Sequence, residues 1–215
     1  MPHPPPPTEW ISGTLPKIGN RPEENEDAVS AASDGLRFAV ADGATEGWES
    51  GPWAKHLAEA FLRTPPTPAT FATFLTETRR AWVPPTAQGP VPWYAAVKEQ
   101  EGSFATVAGL EIRRSSRAAG WSWRAVAVGD SCLLHVRDQG LLVAFPFTSP
   151  ASFGNRPRLV QSSAYATCPE PEWLAGLHRF HPQADLAQLD GHGVEVDAVE
   201  AAADHGAQRV AGGVG

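Results

Sequence analysis

Four apolar runs crowd residues 104–145: Phe104 to Ile112, Trp121 to Val128, Ser131 to Arg137 and Leu141 to Phe145. The spacers between them are residues 113–120, 129–130 and 138–140. All are shorter than the crossover of about a dozen residues that parallel strands need, so the runs predict antiparallel neighbours. Asp138-Gln139-Gly140 is the turn between the last two.

Upstream, Leu36 to Ala41 is a short apolar run that ends in Asp42-Gly43, a buried strand running into a turn. Trp48 to Leu62 then has helical spacing, with Trp53, Leu57, Ala60 and Phe61 on one face. Thr64-Pro65-Pro66-Thr67-Pro68 stops it. A second helix is predicted from Ala69 to Trp82, with Phe71, Phe74, Leu75 and Trp82 inward. Two helices followed by a series of strands point to α+β layers, not to alternating β-α-β units. Residues 84–92 and Pro150 to Ser163 have loop composition, and Pro169 to Leu177 is predicted helical. Three regions follow: a proline-rich tail over 1–8, one domain over 9–185, and a Gly/Ala-rich C-terminal tail over 186–215 with no clear period, expected to be poorly ordered.

Composition narrows the function classes. A net charge of −7 and the absence of a Lys/Arg block argue against nucleic acid as a partner. The two cysteines, Cys132 and Cys168, make neither a disulfide framework nor a zinc spacing and are expected as reduced thiols. No window is apolar enough to span a membrane, and the N-terminus lacks the form of a signal peptide, so a cytoplasmic protein is expected.

Acidic residues gather in three places: Asn25-Glu26-Asp27-Ala28, Asp42-Gly43 and Gly129-Asp130-Ser131. A carboxylate at a strand end is held by a rigid sheet, and hard cations such as Mg²⁺ and Mn²⁺ take oxygen ligands. Taken singly, each place is an ordinary turn or a solvated surface feature. Asp residues on neighbouring strand ends would converge.

The ordered series Asn25-Glu26-Asp27-Ala28, Phe38-Ala39-Val40-Ala41-Asp42-Gly43, Gly102-Ser103-Phe104-Ala105-Thr106 and Ala127-Val128-Gly129-Asp130-Ser131 resembles the motifs of metal-dependent type 2C (PPM) Ser/Thr protein phosphatases. Phe104 stands where that family usually has Thr. The resemblance spans residues 15–150 and implies a sandwich of two antiparallel β-sheets flanked by helices, the αββα arrangement, with a centre of two or more Mn²⁺ or Mg²⁺ ions. By position, Asp42 would bridge the ions. The Gly43 carbonyl and Glu26 would ligate one of them, Asp27 would hold coordinated water, and Asp130 would support a further ion. Arg21, one residue further from Asp27 than the family pattern, would grip the phosphate, with Lys17 as the alternative. The implied reaction is hydrolysis of phosphoserine or phosphothreonine in proteins by a metal-bound water. Substrates would be phosphoproteins, among them targets of a bacterial Ser/Thr kinase.

The family's last two metal-binding aspartates have no good counterpart. Asp190-Gly191 is the nearest match to the first, and Asp197 and Asp204 lack the Asn that marks the second. A truncation or frame shift near residue 185 would explain this, as would a divergent chain binding one metal or none. The alternative function is therefore an impaired pseudophosphatase that binds phosphoproteins or another partner. His178 and His181, with Pro182 beside them, and His192 and His205 form no metal motif; His56 is expected on a helix surface, and Ser131 is in no nucleophile elbow. Trp48 and Trp53 follow Asp42-Gly43 closely and are candidates to border the site.

Overall fold

The computed structural model describes residues 9–44, 48–85, 101–114, 121–137 and 140–178. The two tails over 1–8 and 186–215, most of the 84–92 loop, Asp190 and His181, His192 and His205 lie outside the described residues.

Nine strands and two helices follow one another among the described residues: β1 (Asp27–Ala31), β2 (Arg37–Asp42), α1 (Ser50–Arg63), α2 (Phe71–Ala81), β3 (Phe104–Ala105), β4 (Val107–Arg114), β5 (Trp121–Val128), β6 (Leu133–Arg137), β7 (Gly140–Phe145), β8 (Val160–Gln161) and β9 (Glu172–His178). Five strands form the main sheet in the order β1-β2-β4-β5-β9, every neighbouring pair antiparallel. β6 and β7 make a hairpin, and β3 pairs with β8.

Strand alternation divides the core into two layers. On one face of the sheet, Ala39, Ala41, Val107, Val126 and Val128 pack against Trp53, Leu57, Phe61, Phe71 and Leu75 of the two helices. On the other face, Val40, Ala108, Leu110, Ala125 and Ala127 pack with Leu133, Val143 and Phe145 of the hairpin. With both faces covered, the strands are apolar almost throughout. Helices, main sheet and hairpin stack as an α+β fold of antiparallel sheets; the hairpin and the β3–β8 pair are the two smaller sheets among the described residues. No helix among the described residues is long and apolar enough to cross a membrane.

Small residues set the helix-to-sheet distance. Ala54 and Ala58 of α1 are fully buried. A Cβ at Gly109 would stand 2.4 Å from Cε2 of Phe61. Gly109→Ala is therefore expected to destabilise by about 1–3 kcal/mol, because the ring has no room to retreat. Urea melts check this, and Phe61→Leu in the Gly109→Ala chain should recover part of the loss; an unchanged midpoint for Gly109→Ala would refute the packing argument.

Three expectations need correction. Residues Glu172–His178 are strand β9, not part of a helix: β5 offers an open edge, and the two pair from Trp121↔His178 to Ala127↔Glu172. Trp173 then faces α2, edge-on to Phe71 with centroids 6.1 Å apart, while Leu174 joins the hairpin layer. Trp53 does not border a site: it is fully buried and donates its indole N–H to the Val160 carbonyl at 2.9 Å. His56 is half-buried, stacked on Trp53 and tilted against Trp82, with Nε2 3.0 Å from the Thr78 carbonyl oxygen. The aromatic neighbours draw it off the helix surface.

Candidate functional site

β1 begins and β2 ends at the same end of the sheet, and their register sets Asp27 directly opposite Asp42. Residues opposed across an antiparallel pair project their side chains from one face. Ala28 and Ala41, the next pair, are buried on the helix side, so the two carboxylates project from the hairpin side. Asn25 fixes the start of β1: its side-chain oxygen accepts the Asp27 N–H at 3.1 Å.

Asp42 is tied down through its backbone. Its carbonyl accepts the Thr106 N–H at 2.8 Å, and its own N–H donates to Thr106 Oγ1 at 3.3 Å. The same Oγ1 lies 2.7 Å from Ser131 Oγ, so buried Thr106 links Asp42 to the turn that carries Asp130. That turn depends on Gly129, whose φ is 102° and where a Cβ would meet Thr106 Cγ2 at 2.6 Å. Sequence reasoning gave Thr106 no role at the site. Its one signal was a hydroxyl set between the apolar Ala105 and Val107.

Electrostatics bind the group together. The Asp42 carboxyl is pushed up to about 7, first by burial, then by the Asp27 charge and a side-chain hydrogen bond with Asp27, with Asp130 adding in the same sense. Lys17 acts in the opposite direction. Burial also raises Asp130 above the ordinary carboxylate range. Two facing carboxyl groups at a partly buried sheet end form a site that favours positive charge. The donor set suits a hard divalent cation through Asp27 and Asp42. Among the described residues, no group of three or more His, Cys, Asp or Glu side chains stands close enough to hold a metal ion together.

The remaining candidates are placed differently. Glu26 continues the β1–β2 ladder by accepting the Gly43 N–H at 3.1 Å through its backbone carbonyl. Its Cα and Cβ lie 3.1 and 3.7 Å from where a Cβ on Gly51 of α1 would be, on the helix side of the pleat. Gly43 is buried against the start of α1, and a Cβ there would come within 2.6 Å of the Ser50 carbonyl carbon. Arg21 is exposed at the head of a 3₁₀ turn, its N–H donating to Glu24 Oε2 at 2.7 Å. Lys17 is the cation whose charge bears on Asp42.

The carboxyl pair makes the metal-free protein sensitive to pH. Asp42 keeps its proton to about pH 7 when folded but only to its ordinary 3.8 when unfolded, so between those values the folded state binds more protons. The pair's contribution is best below about pH 4, worsens as pH rises towards 7, and is constant above. Complete conversion of the shift gives on the order of 4 kcal/mol, and solvent screening of a partly exposed group reduces the expected loss to about 1–2 kcal/mol. Chemical melts in EDTA at pH 5 and pH 8 measure it, with Asp42→Asn expected to flatten the slope. Equal slopes for wild type and variant would show that the pair does not titrate in this way.

No protein-family model matches the chain, and no curated protein does. Among solved structures, the chain is similar in fold to the photosystem II phosphatase PBCP, with 18% identity and a TM-score of 0.53 over 77% of this chain. The chain spans 59% of the length of that protein. The Mycobacterium tuberculosis serine/threonine phosphatase PstP/Ppp aligns at 20% identity and a TM-score of 0.43, over 72% of this chain and 68% of that one. The PstP catalytic domain in complex with 2 manganese ions aligns at 19% and 0.44, over 72% and 66%. At such identities the likeness to PBCP concerns the fold alone.

Proposed function

From a chain with the type 2C phosphatase fold, we propose a divalent-metal-dependent hydrolase of phosphoserine or phosphothreonine in proteins, centred on Asp27 and Asp42. The observation that carries this reading is the β1–β2 register, which sets the two carboxylates face to face at a sheet end. Asp27 and Asp42 would hold one Mn²⁺ or Mg²⁺, and Asp130 offers a carboxylate to a second. A divalent cation supplies charge against the phosphoryl oxygens and acidifies a water for attack on phosphorus.

The chain's own residues have definite tasks. Thr106 fixes the Asp42 backbone and so the direction of its carboxylate. Burial keeps water from screening Asp42 and Asp130, which strengthens their hold on a cation. Lys17, whose charge bears on Asp42, is the first candidate for a phosphate oxygen, and Arg21 at the exposed turn is the second.

Manganese-dependent release of phosphate from p-nitrophenyl phosphate and from a phosphothreonine peptide tests the reading. A second reading is a pseudophosphatase that binds phosphoproteins without turnover. It is favoured by the lack of a third ligating side chain among the described residues. Peptide binding without phosphate release, at saturating Mn²⁺, would select it.

A further inference from the structure

Arg79 lies in the last turn of α2 and turns its charge inward, being 8% exposed. Nε donates to the Gln161 carbonyl at 2.9 Å, Nη1 to Ala166 at 2.9 Å and Nη2 to Thr167 at 3.1 Å. Each terminal nitrogen carries a second N–H beyond these bonds. Among the described residues no Asp or Glu forms an ion pair with Arg79. Three carbonyl dipoles offset only part of the cost of removing a cation from water.

A cleft of about 330 Å³ is lined by Arg79, Ser103, Ser162 and Ser163 together with Trp48 and Trp82. Among the described residues no acidic side chain lines it, although the chain carries a net charge of −7. Ser162 Oγ accepts the Ser103 N–H at 2.9 Å, and Ser163 Oγ accepts the Tyr165 N–H at 3.3 Å. Each hydroxyl meets the backbone as an acceptor and keeps its own proton to donate. The described lining thus offers several donors and the Arg79 charge, with no carboxylate among the described residues to neutralise it.

We infer that this cleft is a second anion site, which binds a phosphate group through Arg79 and the Ser162 and Ser163 hydroxyls. Donors from an α2 side chain and from the 162–163 segment suit a tetrahedral oxyanion with several acceptor oxygens better than a planar carboxylate. The site is distinct from the carboxylate pair. Asp27, Asp42 and Asp130 do not line it, and it lies on the helix side of the sheet. It does not depend on the proposed hydrolysis.

The test uses the full chain in EDTA at constant ionic strength, titrated with inorganic phosphate and followed by tryptophan fluorescence. A saturable change is expected, with a dissociation constant on the order of 1 mM. Ser163 is partly exposed, so its variants should fold, as circular dichroism will show. Ser163→Ala should weaken binding about threefold or more through loss of a donor. Ser163→Asp should weaken it at least about tenfold by placing like charge against the anion. Asp42→Asn should bind as wild type does. Phosphoserine binding more tightly than inorganic phosphate would show that the group arrives on an ester, and equal affinity would assign the cleft to free phosphate. The inference is overturned if no saturation occurs, if Ser163→Asp binds normally, if Asp42→Asn abolishes binding, or if acetate binds as tightly as phosphate.

Discussion

Asp42→Asn is expected to give a folded protein whose manganese-dependent phosphatase activity is lost. Both backbone bonds that fix residue 42 to Thr106 survive the change, because neither uses the Asp42 side chain. The variant removes a charge that burial and Asp27 already oppose, so in EDTA at pH 8 its melting temperature should exceed that of wild type. A cation at the pair would lose one of its two facing carboxylates and, with it, the field that orients a phosphoryl group. Removing one preorganised electrostatic partner typically costs about 10²–10³ in rate, and at least that loss in kcat/KM is expected here. The measurement is p-nitrophenyl phosphate hydrolysis at saturating Mn²⁺. Activity within threefold of wild type would dismiss the carboxylate pair as the reaction centre. A silent wild type, with peptide binding intact, would leave the pseudophosphatase reading.

Trp53→Ala should have the largest effect on stability. The side chain is fully buried between α1 and the sheet. It stacks on His56 with centroids 5.8 Å apart and meets Trp82 edge-on at 5.4 Å. Its N–H satisfies the Val160 carbonyl on β8, the strand that pairs with β3. Truncation leaves a cavity and removes that donor, for an expected cost of about 3–5 kcal/mol. Domains of this size are stable by about 5–15 kcal/mol, so the variant should be near or past its unfolding threshold at 37 °C. Trp53→Phe keeps much of the volume but not the donor, and should fall between the two. Guanidinium melts distinguish the three chains, and a Trp53→Ala midpoint equal to that of Trp53→Phe would show that cavity volume is not the dominant loss.

Local pattern made much of the fold legible. Trp53, Leu57, Ala60 and Phe61 are all buried, as their spacing in α1 demands, and so are Phe71, Phe74 and Leu75 in α2. The same pattern missed Arg79, a buried charge on the inner stripe of α2, since a guanidinium gives no apolar signal and its partners lie more than eighty residues on. β1 was legible only as an acidic motif. Five residues in which the apolar Ala28, Val29 and Ala31 do not alternate carry too little periodicity to mark a strand without its partner.

The sequence alone determined the element types of the helices, of β2 and of β4 to β7, and the order of the acidic segments along the chain. Side-chain periodicity and turn residues are local properties, and they survive in one dimension. Tertiary structure decided which acids meet. The β1–β2 register brings Asp27 to Asp42, the pleat sends Glu26 to the helix side, and Thr106, between β3 and β4, ties both Asp42 and the Asp130 turn. It also made a strand of Glu172–His178, because an open sheet edge offers a ladder of backbone bonds that no local propensity encodes.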